Sequence, residues 1–116
     1  METLREKRCR FSRNVTLLGQ YISLQGYEYA FDQFKRTQAE ADANAASGSG
    51  ISRSLHILGL AVDINLYKDG VYLESSESHR FSGEFWKSLG ADHRWGGDFR
   101  PKQDGNHYSI EHDGVK

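Results

Sequence analysis

The sequence predicts a small α+β domain, one antiparallel sheet with helices packed around it, and three patterns carry that expectation. Phe11, Val15, Leu18 and Ile22 recur at helical spacing and form one face of an amphipathic helix. Leu60, Val62, Ile64 and Leu66 alternate with Ala61, Asp63, Asn65 and Tyr67, the period-two signature of a strand with one buried face. Phe81, Phe85, Trp86 and Leu89 return to helical spacing.

In chain order, Gly26 ends the first helix. Tyr27, Tyr29 and Phe31 alternate with Glu28, Ala30 and Asp32 as a half-buried strand. Thr37-Gln38-Ala39-Glu40 fits a capping box, and the alanine-rich stretch to Ala46 suits a short helix. Ser47-Gly48-Ser49-Gly50 reads as a loop. The strand from Leu60 turns its four aliphatic residues to one side and Asp63 to the other. Lys68-Asp69-Gly70 then turns into a second strand, Val71 to Leu73. Gly90 closes the later helix. Trp95-Gly96-Gly97 marks a close backbone approach, to the core or to a cleft wall, and a last strand is expected near His107 to Glu111. With no internal repeat and no linker, residues 1–116 read as one domain.

Composition narrows the partners. The net charge of −1 offers no broad attraction to nucleic acid or to an anionic membrane. Cys9, the single cysteine, cannot form an internal disulfide and reads as a bystander thiol. The opening METLREKRCRF is basic without an apolar run behind it, so no secretory signal is expected, and nothing is long enough to cross a bilayer. The expectation is synthesis in a reducing cytoplasm, with another agent giving access to any substrate beyond the membrane.

Two segments carry chemistry. In SLHILGLAVDIN, Ser54 to Asn65, a histidine precedes the strand and Asp63 points away from its aliphatic face. Gly59 between them allows close backbone approach. A catalytic zinc site takes three ligands from His, Asp, Glu or Cys and leaves a position for water, so His56 and Asp63 would make two of the three. A solvated or core histidine beside a strand has the same local look. In DGNHY, Asp104 to Tyr108, Gly105 permits a bend that turns Asp104 and His107 toward one space. A third ligand beside a free carboxylate suits metal-assisted hydrolysis, and an ordinary turn followed by a surface histidine suits the same residues. His79 and His93 lie in polar stretches and His112 follows the last strand; all three read as surface residues, and Trp86 reads as core.

Together the two segments resemble the family of zinc D-alanyl-D-alanine carboxypeptidases and L-alanyl-D-glutamate peptidases, which includes vancomycin-resistance dipeptidases and many phage endolysins; Hedgehog signalling domains are distant relatives by fold. The landmarks are Ser54, His56, Asp63, Asp104 and His107, in family order. KRTQAEADANAASGSGISRSLH (Lys35 to His56), NLYKDGVY (Asn65 to Tyr72) and WGGDF (Trp95 to Phe99) look like the phage L-alanyl-D-glutamate branch, and the resemblance runs from Glu28 to Ile110. It implies one zinc ion at the sheet edge held by His56, Asp63 and His107, with Asp104 as catalytic base. It also implies that Arg36 steadies the developing oxyanion and that Ser54 contacts substrate or ligand. Arginine suits its task because it stays charged and donates a fixed fork of hydrogen bonds. Two departures stand out: Asp104 where part of the family has glutamate, and Ala41 around where relatives carry glutamine.

The activity so implied is that of an endolysin-like zinc endopeptidase. It would cut the L-alanyl-D-glutamate bond of peptidoglycan stem peptides, as a monomer without a separate wall-binding domain. A separate holin-like pore-former would give it access to the wall. A D-alanyl-D-alanine carboxypeptidase or dipeptidase is the alternative within the family. A zinc-scaffold binding domain without turnover is the alternative outside enzymes, and Asp104 beside His107 speaks against it, since a pure binder needs no proton-transfer group there.

Overall fold

The computed structural model describes residues 1–33 and 55–116. The expected helix from Thr37, the Ser47–Gly50 loop, Arg36, Ala41 and Ser54 lie outside the described residues. Helix α1 spans Leu4–Leu24 and buries Phe11, Val15, Leu18 and Ile22, the predicted face. It starts earlier than the apolar periodicity suggests, because Thr3 and Glu6 form a capping box whose two hydrogen bonds are 3.1 and 2.9 Å. At the other end Tyr27 N–H donates to the Ile22 carbonyl and Gly26 N–H to that of Ser23, a Schellman closure.

The strands are β1 Glu28–Gln33, β2 Ala61–Lys68, β3 Val71–Tyr72, β4 His93–Trp95 and β5 His107–Ile110. They form an antiparallel sheet in the order β1-β2-β5-β4, with β3 hairpinned onto the end of β2. Between β1 and β2 lies α2, the single turn Leu55–Leu58, and between β3 and β4 lies α3, Arg80–Ser88. The two strands expected around Asp63 and His107 are therefore adjacent in the sheet although far apart in sequence.

One face of the sheet makes the core. Leu60, Val62, Ile64, Leu66, Tyr108 and Ile110 are fully buried, in one cluster with the α1 face and with Trp86 of α3. Each such side chain contributes about 1.5–3 kcal/mol by leaving water. Trp86 meets Phe11 edge-on and donates from Nε1 to the Ser109 carbonyl at 3.0 Å. Trp95 is core, not cleft wall: its ring lies against Gly83 and Gly97, where a Cβ would stand 2.2 Å from ring carbons, and its Nε1 donates to Gly105 at 2.7 Å. On β1, Tyr29 is half-buried and Phe31 exposed.

Two histidines read as surface residues are instead buried, at 2% exposure each. His93 lies in β4, which the sequence reading did not separate from its polar surroundings. Its ring bonds to Asn14 of α1 at 2.9 Å and to Asp92 at 3.1 Å. His79 bonds to the Tyr108 hydroxyl at 3.2 Å, and Ser82 meets the same hydroxyl at 2.7 Å. Each ring has a partner from a distant segment, Asn14 for His93 and Tyr108 for His79, which the polar neighbours in sequence do not reveal. Burial holds both imidazoles below their ordinary pKa. Cys9 is exposed and free. Among the described residues no helix is long and apolar enough to cross a membrane.

Candidate metal centre

The second face of the sheet carries the site, at the margin where β5 begins. Asp63 and His107 are direct register partners across β2 and β5. Ile64 N–H donates to the Asn106 carbonyl at 2.8 Å, which makes Asp63 and His107 a non-hydrogen-bonded pair, the kind whose side chains stand closest. His56 arrives from α2. That turn closes with Leu60 N–H on the Leu55 carbonyl and Gly59 N–H on that of His56. Gly59 adopts a φ of 72°, so its role is to turn the chain into β2; close approach to the site is not what it provides. The Arg8 side chain ties α1 to the same turn through the Leu58 carbonyl at 2.5 Å.

These elements bring three donors together. His56 Nε2 lies 3.5 Å and His107 Nδ1 3.6 Å from Asp63 Oδ1, and all three donor atoms lie within 4.8 Å of one another. Both imidazoles are largely buried and stand edge to face, 5.5 Å between ring centres. Burial pushes the Asp63 carboxyl up; when His107 and His56 carry protons toward it they outweigh burial and bring its pKa to about 2. Asp63 Oδ1 is nevertheless buried with no hydrogen-bond partner among the described residues. An orphaned carboxylate oxygen is costly unless something else meets it. A tetrahedral zinc with arms of ~2.0–2.1 Å would separate its ligands by roughly 3.3 Å, close to both distances from Asp63. Two imidazoles and one carboxylate thus fit a zinc ion that keeps one position open.

Asp104 sits in the loop before β5, beside the cluster. Its backbone N–H donates to the Gly96 carbonyl at 2.8 Å, and its own carbonyl accepts from His107 N–H at 3.0 Å. Gly96 has no room for a side chain: a Cβ there would lie 1.9 Å from the Asp104 carbonyl oxygen. Gly105 N–H is held by Ser76 Oγ at 3.0 Å. Asp104 is exposed. Partial loss of water around its carboxyl pushes its pKa up; His107 and His56 pull it down, Asp63 adds to the rise, and the net direction is upward.

The structure therefore brings together His56, Asp63 and His107, with Asp104 adjoining them. Sequence reading missed the partners that hold His107 from behind. Its Nε2 lies 3.0 Å from the Lys116 main-chain oxygen, which also accepts from Ser109 Oγ at 2.5 Å, and its ring packs beside Phe99. Ser109 was available as a signal, since it lies two residues from His107 on the same strand face.

A small α+β domain with such a His-Asp-His cluster on its sheet has the architecture of a zinc peptidase. Residues 47–110 match the profile of a family described as D-alanyl-D-alanine carboxypeptidase, and the chain belongs to that family of zinc metallopeptidases. No curated protein matches the sequence. Among solved structures it is similar to the Serratia marcescens L-Ala D-Glu endopeptidase ChiX. The TM-score is 0.69 at 22% identity, over 87% of this chain and 77% of that one. It is also similar to a mutant of the vancomycin-resistance D,D-pentapeptidase VanY from a VanB-type cassette in complex with Zn(II). That match has a TM-score of 0.60 at 20% identity, over 87% of this chain and 70% of that one. At these identities the likeness is one of fold.

Proposed function

We propose that the chain is a zinc-dependent peptidoglycan endopeptidase that hydrolyses the L-alanyl-D-glutamate bond of stem peptides. His56, Asp63 and His107 hold one ion and Asp104 serves as general base. The observation that carries this reading is the orphaned Asp63 Oδ1 between two imidazole nitrogens at 3.5 and 3.6 Å. A zinc ion bound there supplies an acidified water and a polarised substrate carbonyl. Asp104 takes the proton of the attacking water and passes it to the leaving amine. Its upward-shifted carboxyl suits it to both halves of that transfer. By the family resemblance, Arg36 steadies the developing oxyanion and Ser54 contacts substrate.

The choice of bond rests on the segments resembling the phage L-alanyl-D-glutamate branch. Activity as a monomeric endolysin, with a separate pore-former giving access to the wall, rests on the same resemblance. A second reading, a D-alanyl-D-alanine carboxypeptidase, is favoured by the description of the matched family. Mass spectrometry of muropeptides digested with and without chelator separates them. New amino termini on glutamate, lost with chelator, support the endopeptidase; release of free D-alanine supports the carboxypeptidase and overturns the first reading.

A further inference from the structure

Beyond β5 the chain folds back on itself. His112 N–H donates to the Val115 carbonyl and Val115 N–H to that of His112, each at 2.9 Å. The two residues between, Asp113 and Gly114, have φ of 49° and 79°, the backbone of a tight type I′ hairpin turn. Lys7 of α1 anchors the base of this hairpin, donating from Nζ to the Glu111 carbonyl at 2.7 Å and lying 3.1 Å from His112 Nδ1. The result delivers the Lys116 main-chain oxygen to His107 Nε2 and to Ser109 Oγ.

We infer that the Asp113–Gly114 turn and Ser109 are positioning residues that set which ring nitrogen His107 offers to the ion. That main-chain oxygen carries no proton and only accepts, so the proton of the neutral ring resides on Nε2, and Nδ1 presents its lone pair toward Asp63 Oδ1. Two acceptors facing each other repel unless a cation lies between them. The tail thus prepares the pair for a metal before one arrives and opposes a direct imidazole–carboxylate hydrogen bond that would compete with it. This rests on the metal reading above and adds to it the device that selects the nitrogen and fixes the ring.

The test compares Gly114→Val with Gly114→Asn, because asparagine tolerates a positive φ and a β-branched residue does not. Zinc affinity is measured by competition with a chelator. The His107 tautomer is read in metal-free protein by long-range 1H–15N correlation, at a pH where the ring is neutral. Expected are an Nε2–H ring in the wild type and in Gly114→Asn. In Gly114→Val a mixed tautomer should accompany zinc binding weakened about 10–100-fold. Ser109→Ala should move both readouts in the same direction, and it decides the matter if Gly114→Val does not fold. Unchanged tautomer and affinity in the folded variants overturn the positioning role. A wild type that binds no zinc overturns the metal reading, while the tautomer comparison still tests the tail.

Discussion

Asp63 and His107 stand opposite each other on β2 and β5 as a non-hydrogen-bonded pair, with Oδ1 3.6 Å from Nδ1. Their neighbours Ile64 and Tyr108 point to the other side and are fully buried. On the proposed reading, adjacent positions on one strand divide the labour between binding and stability.

That division is measurable. Asp63→Ala should abolish tight zinc binding while the protein stays folded, and His56→Ala should lower zinc occupancy in the same way. Ile64→Ala should cost about 2–5 kcal/mol of stability, with the affinity of the folded fraction for zinc unchanged. Equilibrium unfolding and zinc titration on the same samples decide it, and stoichiometric, tight zinc in both ligand variants would remove these residues from the site.

Asp104→Asn should leave zinc in place and reduce turnover on the order of 10²–10⁴-fold, the usual contribution of a general base. Near-normal hydrolysis of muropeptides by this variant would mean the proton goes elsewhere.

The pH dependence follows from the same residue. A base must be ionised to work, and the Asp104 carboxyl is shifted upward. In the metal-free protein the Asp104 carboxyl should therefore titrate above the ~3.9 of an ordinary aspartate, followed by carboxyl 13C shifts against pH. Zinc favours the carboxylate and should move that titration downward. A metal-free titration at or below the ordinary aspartate value would contradict this assignment.

Gly96→Ala should be disproportionately harmful for a one-carbon change. The added methyl meets the Asp104 carbonyl, part of the backbone that presents His107, so the loop must shift. Overpacking of this kind costs about 1–3 kcal/mol. Thermal denaturation should show the loss, and zinc affinity should fall with it; an unaltered midpoint would show that the loop yields freely.

Thr3→Ala removes one half of a capping box far from the site. It should cost about 1 kcal/mol and leave kcat/KM unaffected.

Much of this was legible in the sequence because periodicity reports burial. The α1 face and the β2 alternation appear as predicted, since a stripe that faces one core must repeat with the element that carries it. On α3 only Trp86 of the predicted stripe is fully buried; Phe81, Phe85 and Leu89 are partly buried, and Ser82 and Gly83 complete the buried face. The short motifs around His56, Asp63 and His107 were legible as candidate donors, but only the register of β2 with β5 brings two of them together. What escaped was non-local. His79 and His93 owe their burial to partners contributed by β5 and α1, and β4 is too short for alternation to show. The start of α1 was missed for another reason: Thr3 and Glu6 carry a cap without an apolar run between them and Phe11.

The pairing of β2 with β5 also acts as its own quality check. A slip of one residue would send His107 into the apolar layer and turn Tyr108 outward, because neighbouring side chains on a strand take opposite sides. A chain misaligned in that way would lose its packing and its ion-binding groups at one stroke. Partly misassembled molecules of this protein should therefore be inert, and not weakly or wrongly active.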